Sequence, residues 1–556
     1  MSLEQRLEQV SRGWRGPALA ALIALLAGLP GVFGMPPLDR DESRFAQATA
    51  QMLESRDFVV IRYQDQPRFK KPVGIYWLQA ASVAVVSAAE DREIWAYRLP
   101  SLLGAMLAAA ACAWGAAAFF GNPLGLMAGI LFASSFLLST EAFIAKTDAV
   151  LAGTTTLALA AMARIYAANR SGGDVGWRTR LMFWLGISMA VLVKGPVGVL
   201  VALLTGLALW AWDRKAPWAK RLGWGWGLII LAVIVGPWAT AVTVATDGGF
   251  WTTAFVGDLA PKLAGGQESH GAPPGYHTLG TSLLIFPATL LLPAALAHGW
   301  RHRDEVGVRF ALCWLIPSWL MFELTPTKLV HYTLPTYAAL IWLMVAALRE
   351  PIGIRARWIG AGLASFAGLL LSAVVFYLLS TFGASASVTG AAMTGVLLVS
   401  AGLVGSYFLI RQASRTGALV AAGLGLLGHG TLVGLFAPSL SPLWLSRETE
   451  AVLTQARLLP RQGMTLSPVA VAGYAEPSLV FALGTKTNLG DAEDAAEALA
   501  DDRPAVVESR EQAAFEKALK ARSLKPHLVG TVKGQDYSNG DDMTLRVYAP
   551  QEIPAP

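Results

Sequence analysis

A set of ionisable side chains lies at the ends of apolar runs and in the loops between them: Asp41, Glu42, Arg44, Lys70, Lys71, Glu141, Lys146, Asp148, Lys194, Asp258, Lys262, His270, His277, Lys328 and His331. Charges so close to long apolar segments are costly unless they face water, a partner or a ligand. Arginine offers a bidentate fork for phosphate oxygens and lysine a point charge. A carboxylate among them is left free to orient or deprotonate an acceptor. The set therefore points to a phosphate-bearing ligand handled by carboxylate chemistry. Each piece also has a purely structural use. Asp41 and Glu42 would compensate a helix dipole. Lys194-Gly195-Pro196 would break two short apolar runs, and Lys146 would pair with Asp148. Lys328 and His331 would anchor a span, His270 and His277 would be loop surface, and Tyr76, Trp77, Tyr276 and Tyr332 would form an interface belt. What raises the set above these uses is that its members share one side of the chain's predicted topology.

The elements that must position them follow from composition. Of 556 residues, 54% are apolar and only 15% are charged, and the mean hydropathy is +0.48. Soluble domains carry close to a quarter charged residues. Apolar runs recur near 17–33, 99–119, 124–140, 148–168, 181–193, 197–212, 223–243, 279–298, 310–323, 332–348, 358–380, 389–410 and 418–437. They predict an all-α polytopic membrane protein with about thirteen spans. The run at 17–33 lacks a convincing small-x-small site after it and reads as a retained first helix. A net charge of +6, scattered along the chain, excludes a nucleic-acid binder. Cys112 and Cys313 lie inside apolar runs, so neither a disulfide framework nor a thiolate metal site is expected.

Basic residues test the arrangement independently. With a cytoplasmic N-terminus, one set of loops holds Arg170, Arg178, Arg180, Arg214, Lys215, Lys220, Arg221, Arg301, Arg303, Arg309, Arg349, Arg355, Arg357, Arg411 and Arg415. The short loops of the other set hold only Lys146, Lys194, Lys262 and Lys328. That asymmetry places the chemistry-bearing set on the outer, periplasmic side. Residues 1–438 form the membrane domain, with a first outer loop at 35–98 and another at 246–278. Within the first loop, 41–56 and 73–88 read as helices lying in the interface. From 446 to 556 the composition becomes that of a small soluble α/β domain, also outside, with strands at 467–472, 504–507, 527–532 and 543–549 and helices at 476–483 and 510–522.

Asp41-Glu42-Ser43-Arg44-Phe45-Ala46 followed by Lys71-Pro72-Val73-Gly74-Ile75-Tyr76-Trp77 resembles the D-E-x-R-[YF]-A and K-P-P-x-x-Y-W motifs of the aminoarabinose transferase family, membrane glycosyltransferases of the GT-C class. The resemblance continues through Lys146-Thr147-Asp148, Lys194-Gly195-Pro196 and His270-Gly271-Ala272-Pro273-Pro274-Gly275-Tyr276-His277. It ends in Thr327-Lys328-Leu329-Val330-His331-Tyr332-Thr333-Leu334-Pro335, and so covers roughly residues 35 to 340. It implies a GT-C fold and transfer of a sugar, with inversion, from a polyprenyl-phosphate donor such as undecaprenyl phosphate. The acceptor would be lipid A, lipopolysaccharide core or another envelope acceptor at the periplasmic face of the bacterial inner membrane.

Carried over by position, the resemblance makes Asp41 the catalytic carboxylate beside the acceptor, with Asp148 organising the donor phosphate. Arg44, Lys71 and Lys194 would contact that phosphate, joined by Lys70. Glu42, Tyr76, Lys328, His331 and Tyr332 would line the substrate site. His270 matches a family histidine associated with a divalent metal. The family has an acidic residue just before the K-P motif; this chain has Lys70, and exchanging a carboxylate for a cation weakens metal binding there. Lys70 also suits a phosphate or an acidic sugar. Three other readings stay open: a secondary transporter of an anionic envelope precursor, a non-catalytic lipid-binding scaffold, and the same fold acting on a protein acceptor. A transporter would set its ionisable groups at mid-membrane in broken helices with repeat symmetry.

Overall fold

The structure is a computed structural model and describes residues 3–265, 271–459 and 468–550. Helices account for nearly all of it up to residue 455. Among the described residues eight are long and apolar enough to cross a membrane: Arg15–Gly34, Ile94–Phe120, Asp148–Arg170, Trp224–Ala245, Val306–Leu324, Ile354–Phe382, Ser387–Ile410 and Ser414–Ser439. The pair Tyr276–Leu284 and Ala288–Arg301 passes the same test together but bends by 115°. The run expected as one span at 279–298 is thus sharply broken, at Pro287, which has no amide hydrogen to continue the ladder. Shorter apolar helices cover Asn122–Ala133, Val197–Asp213 and Leu334–Ala347. Trp177–Lys194 adds a helix with arginines near one end and Lys194 at the other. The chain is a multi-pass membrane protein.

The run expected as a single span at 124–140 is two helices, Asn122–Ala133 and Phe136–Glu141. Serines cause the break, because their hydroxyls compete for backbone carbonyls. Ser135 Oγ donates to Phe132 O at 2.7 Å, and Ser139 Oγ to Ala133 O at 3.1 Å. Phe136 N then bonds Phe286 O at 2.8 Å, tying this break to the bend at Pro287.

Two close approaches set the geometry of the outer ends. A Cβ on Gly153 would lie 2.4 Å from Gly104 O, so only glycine lets Asp148–Arg170 lie against Ile94–Phe120. A Cβ on Gly74 would lie 2.6 Å from Leu192 O, which brings the Lys-Pro-Val-Gly turn onto the end of the helix carrying Lys194. That helix stops at Gly195, whose φ of +64° an L side chain rarely adopts.

The expected helices of the first loop are present as Asp41–Ser55 and Gly74–Val86, joined by a hairpin of β1 (Arg62–Tyr63) and β2 (Gln66–Pro67). The C-terminal part is a five-stranded mixed sheet of β3 (Ala470–Ala472), β4 (Asn488–Gly490), β5 (Ala505–Glu508), β6 (His527–Asp536) and β7 (Asp541–Ala549), in the order β4-β3-β5-β7-β6. β3 runs parallel to β4 and β5, and β7 antiparallel to β5 and β6. Val471, Val506, Leu545 and Val547 form its core with Leu479 and Leu483 of Pro477–Leu483. Sequence reading missed β4 and the helices Leu445–Gln455 and Ala492–Ala500. The last is nonetheless announced by Asp491, which accepts from the amides of Glu493 and Asp494 in a capping box. The start of the first expected strand, at Ser467, lies outside the described residues.

Candidate functional site

A cavity of about 290 Å³ opens where the first loop meets the helix ends. Eight lysines and arginines line it (Arg40, Arg44, Arg68, Lys70, Lys71, Lys146, Lys194 and Lys262) against three aspartates, Asp39, Asp41 and Asp148. His331, Tyr332, Phe45, Thr147, Thr327 and Leu329 complete the wall. Residues far apart in sequence meet here because helices that cross the membrane end at the same level.

Asp41 is the first residue of Asp41–Ser55, and its exposed side chain makes no hydrogen bond or ion pair among the described residues. Opposite it, Asp148 begins its own helix and is nearly buried, with Lys194 ion-paired to its Oδ1. Lys146 Nζ lies 3.8 Å from Asp148 Oδ2, 3.0 Å from Glu141 Oε1 and 3.2 Å from His331 Nδ1. Burial holds His331 well below the usual imidazole range, so its ring is neutral and its Nδ1 accepts from Lys146. Lys194 also stands 5.2 Å over the Tyr332 ring, a cation–π contact. Burial, then the neighbouring Lys262, pushes Lys71 down to about 8, although Asp258 opposes the shift from 3.0 Å. Lys262 shares the same carboxylate at 2.6 Å. Four ammonium groups are thus held by three carboxylates, Asp148, Glu141 and Asp258, and four further cations line the wall. The arrangement can bind an oxyanion, place a second group beside an unpaired carboxylate, and exchange ion-pair partners as charge moves.

Of the residues expected at the site, Asp41, Arg44, Lys70, Lys71, Asp148, Lys194, His331 and Tyr332 line this cavity. Three do not. Glu42 is fully buried, and its oxygens accept from Arg98 Nε at 2.9 Å and NH2 at 2.7 Å, and from the amides of Leu38 at 2.8 Å and Ala145 at 2.7 Å. With both oxygens occupied it is no substrate ligand; it clamps the start of its helix to the loop before Lys146. Tyr76 is fully buried beneath the wall, where its hydroxyl accepts from Arg68 Nε at 3.3 Å. Lys328 is 3% exposed and donates to Glu323 O at 2.7 Å and Thr325 O at 2.5 Å, capping the end of Val306–Leu324. His270 lies outside the described residues.

Arg68, Arg40 and Asp39 were missed. Arg68 stands 5.2 Å over Phe45, and its position in Gln-Pro-Arg-Phe-Lys-Lys, directly before the K-P motif, was the available signal. Asp39 and Arg40 belong to the junction with the C-terminal sheet. Tyr537 OH accepts from Asp39 N at 2.7 Å, Ser478 Oγ bonds Asp39 Oδ1, and Arg40 NH2 reaches Ser538 O at 3.2 Å. Burial, with Glu476 and Asp536 nearby, pushes the Asp39 carboxyl up to about 7.

The cavity is a poor cation site. Lys70 occupies the position of the family's acidic residue, and Asp258, the nearest carboxylate to Lys71, is already shared by two lysines. A divalent ion there would have to displace ammonium groups rather than join carboxylates. The described residues of this site do not fit a metal.

A sequence profile of dolichyl-phosphate-mannose-protein mannosyltransferases matches residues 70–239. Over 327 residues the chain is 28% identical to an undecaprenyl phosphate-alpha-4-amino-4-deoxy-L-arabinose arabinosyl transferase of Pseudomonas paraeruginosa, covering 57% of this chain and 58% of that protein. A relative of the same description from Pectobacterium carotovorum is 28% identical over 339 residues, 60% of this chain and 58% of its own. In sequence, then, the chain spans somewhat over half the length of the curated relatives it matches. In fold the likeness extends over nearly the whole chain: the crystal structure of ArnT from Cupriavidus metallidurans bound to undecaprenyl phosphate superposes with a TM-score of 0.74 at 20% identity over 97% of this chain and 98% of that one. The apo form of the same protein gives 0.72 at 21% identity. Over somewhat more than half its length the chain is thus similar in sequence to these arabinosyl transferases, and over nearly all of it the fold is that of the ArnT crystal structures.

Proposed function

We propose that this protein transfers a sugar from a polyprenyl-phosphate donor to lipid A, lipopolysaccharide core or another envelope acceptor, at the periplasmic face of the bacterial inner membrane. The single observation that carries this reading is the cavity: eight cations against three carboxylates at the ends of membrane helices, with one carboxylate unpaired. The names of the relatives, and the bound undecaprenyl phosphate of the ArnT crystal structure, support the donor class. A transporter would carry its ionisable groups at mid-membrane, whereas these gather at helix ends.

In this reading Arg44, Lys70, Lys71 and Lys194 receive the donor phosphate. The acceptor oxygen attacks the anomeric carbon from the face opposite the phosphate. The carbon–oxygen bond to phosphate breaks with its electron pair leaving on the phosphate, so the configuration inverts. Negative charge builds on that leaving group, and fixed cations in a desolvated wall are the largest expected source of catalysis. Asp41 takes the proton of an acceptor hydroxyl, or orients an acceptor that is already ionised. Asp148 holds Lys194 and, through Lys146, the neutral His331 in place. No step is routed through a metal, because the donor set is wrong for one. Lys70 beside Lys71 favours a donor sugar that itself carries negative charge.

The reading also fixes a topology: thirteen passes, made of the eight long helices, the bent pair, Trp177–Lys194 and the three shorter apolar helices. The N-terminus is cytoplasmic, residues 1–438 are the membrane transferase domain, and 446–556 are a periplasmic domain that braces the loop carrying Asp41. The test is mass spectrometry of envelope lipids and glycans from cells lacking the gene, complemented with wild type or Asp41→Asn. One sugar mass should vanish, and only wild type should restore it. Restoration by Asp41→Asn, or no glycan change at all, overturns the proposal.

A further inference from the structure

We infer that the opposite end of the helical bundle carries a divalent transition-metal site, formed by His298 and His302 of one helix end and Glu350 of the linker beside it. The Leu334–Ala347 helix starts just after His331 and Tyr332 at the cavity and ends just before Glu350. Its 14 residues separate the two places by about 20 Å. Among the described residues this is the one group of three His, Cys, Asp or Glu ligand atoms close enough to share an ion, all within 4.8 Å of one another.

The side chains are placed as a ligand set rather than as a hydrogen-bonded one. His298 and His302 stand one helical turn apart with rings stacked at 4.1 Å, the i, i+4 spacing that puts two imidazoles on one face. Glu350 Oε2 lies 3.4 Å from His302 Nε2 and 3.9 Å from His298 Nδ1. His302 Nδ1 sits 3.0 Å from Glu305 Oε1, a contact an ionised carboxylate makes only with a proton on that nitrogen. The other ring nitrogen, Nε2, faces the Glu350 carboxylate from 3.4 Å, where an ion shared by the two would use both as ligands. Arg349 in turn holds Glu305, completing the carboxylate–histidine arrangement that orients metal-bound imidazoles.

A second observation is independent of the spacing. His298 is only 7% exposed, and its Nε2 makes no hydrogen bond. Its Nδ1 is too far from Glu350 for one. A buried imidazole without partners is costly unless something binds it. The three side chains also line a common cavity of about 500 Å³, and the carbonyl end of the Leu292–Arg301 helix favours positive charge there. Two imidazoles and a carboxylate suit zinc, with a fourth position left to water or an anion. Arg301 and Arg355 line the same cavity and favour the anion. Such an ion would staple the ends of three helices on the face away from the proposed transfer site.

The test uses the full chain in detergent, stripped with a chelator and titrated with Zn²⁺ against a chromophoric competitor, and with Co²⁺ read by its visible ligand-field bands. One ion per chain should bind with tetrahedral-type Co²⁺ bands and raise Tm. His298→Ala and His302→Gln should each weaken binding by more than about tenfold, and Glu350→Gln by about tenfold. His270→Ala should leave this binding unchanged, which separates it from any ion at the cavity. Glu350 is 55% exposed, so its variant folds whatever becomes of the histidine variants. Unaltered Zn²⁺ affinity in Glu350→Gln and His302→Gln, or no Zn²⁺ bound by wild type, overturns the inference. None of these outcomes bears on sugar transfer.

Discussion

Asp41 and Glu42 are neighbours of the same charge, yet the structure gives them opposite surroundings, one exposed and one buried, and replacing each by its amide separates them. Glu42 and Arg98 are both fully buried. Each Glu42 oxygen accepts two hydrogen bonds, one from the guanidinium and one from a backbone amide. In Glu42→Gln the new NH2 group must face two donors whichever way the amide turns, and Arg98 loses its counter-charge. Breaking a buried pair in this way costs about 3–5 kcal/mol. With an unfolding entropy of about 2 cal/mol/K per residue, Tm should fall by roughly 3–4 °C in a chain this long. Asp41→Asn removes no contact made among the described residues, so its Tm should stay within ~1 °C of wild type. Its sugar transfer should be lost. Adding Arg98→Gln to Glu42→Gln should cost much less than the two single losses together, with a coupling of about 2 kcal/mol. The assay is thermal unfolding in detergent beside turnover of a polyprenyl-phosphate sugar. If Glu42→Gln keeps the wild-type Tm and loses only turnover, Glu42 is a substrate ligand after all and the assignment from geometry is wrong.

Other outcomes follow from the same contacts. Lys71 titrates near 8, so it is charged below that pH and loses its charge above it; the KM for donor should rise as pH passes from 7 to 9, and Lys71→Arg should flatten that rise. Asp39 has its carboxyl raised to about 7 in the folded protein against an ordinary value of 3.8. The docked C-terminal domain therefore favours the protonated form, and its stability is complete below about pH 4 and declines until about pH 7. Asp39→Asn should remove that dependence and raise Tm at pH 8, read by unfolding across a pH series. Lys70→Glu should reduce preference for an acidic over a neutral donor sugar, and an unchanged preference would separate Lys70 from sugar choice.

Much of this protein is legible in its sequence because the membrane imposes a strong pattern. Apolar runs near twenty residues long announce their helices, and the crowding of Lys, His and Asp at one set of ends announces the cavity. What is not legible has local causes. Ser134 and Ser135 divide a run that hydropathy alone joins, and Pro287 bends another through 115°. β4 is three half-buried residues held by pairing to β3 rather than by any pattern of its own. Lys328 looks like a ligand in a list of basic residues, yet its ammonium is consumed by the carbonyls of the preceding helix end. Glu42 looks like a second acid beside the first, and nothing in the sequence connects it to Arg98, 56 positions on.

That last separation explains why motif reading is strong on which segments meet and weak on which residues react. A fixed motif such as Asp-Glu-x-Arg records constraints of two kinds without distinguishing them. One is chemistry, which needs a side chain exposed to a ligand. The other is assembly, which needs a side chain hidden from solvent and saturated with partners. Consecutive residues on a helix point about 100° apart. Here the helix leaves Asp41 at the cavity and turns Glu42 into the protein. There it meets the guanidinium that also donates to the carbonyls of Gly31, Val32, Met35 and Pro36. The loop carrying Asp41 is built on that buried arginine: the first transmembrane helix, the start of the loop and the backbone before Lys146 all bond to Arg98 or to its carboxylate partner. Charge placed for assembly is thereby held out of the cavity, and the cationic surplus that would receive a phosphate is left undiminished.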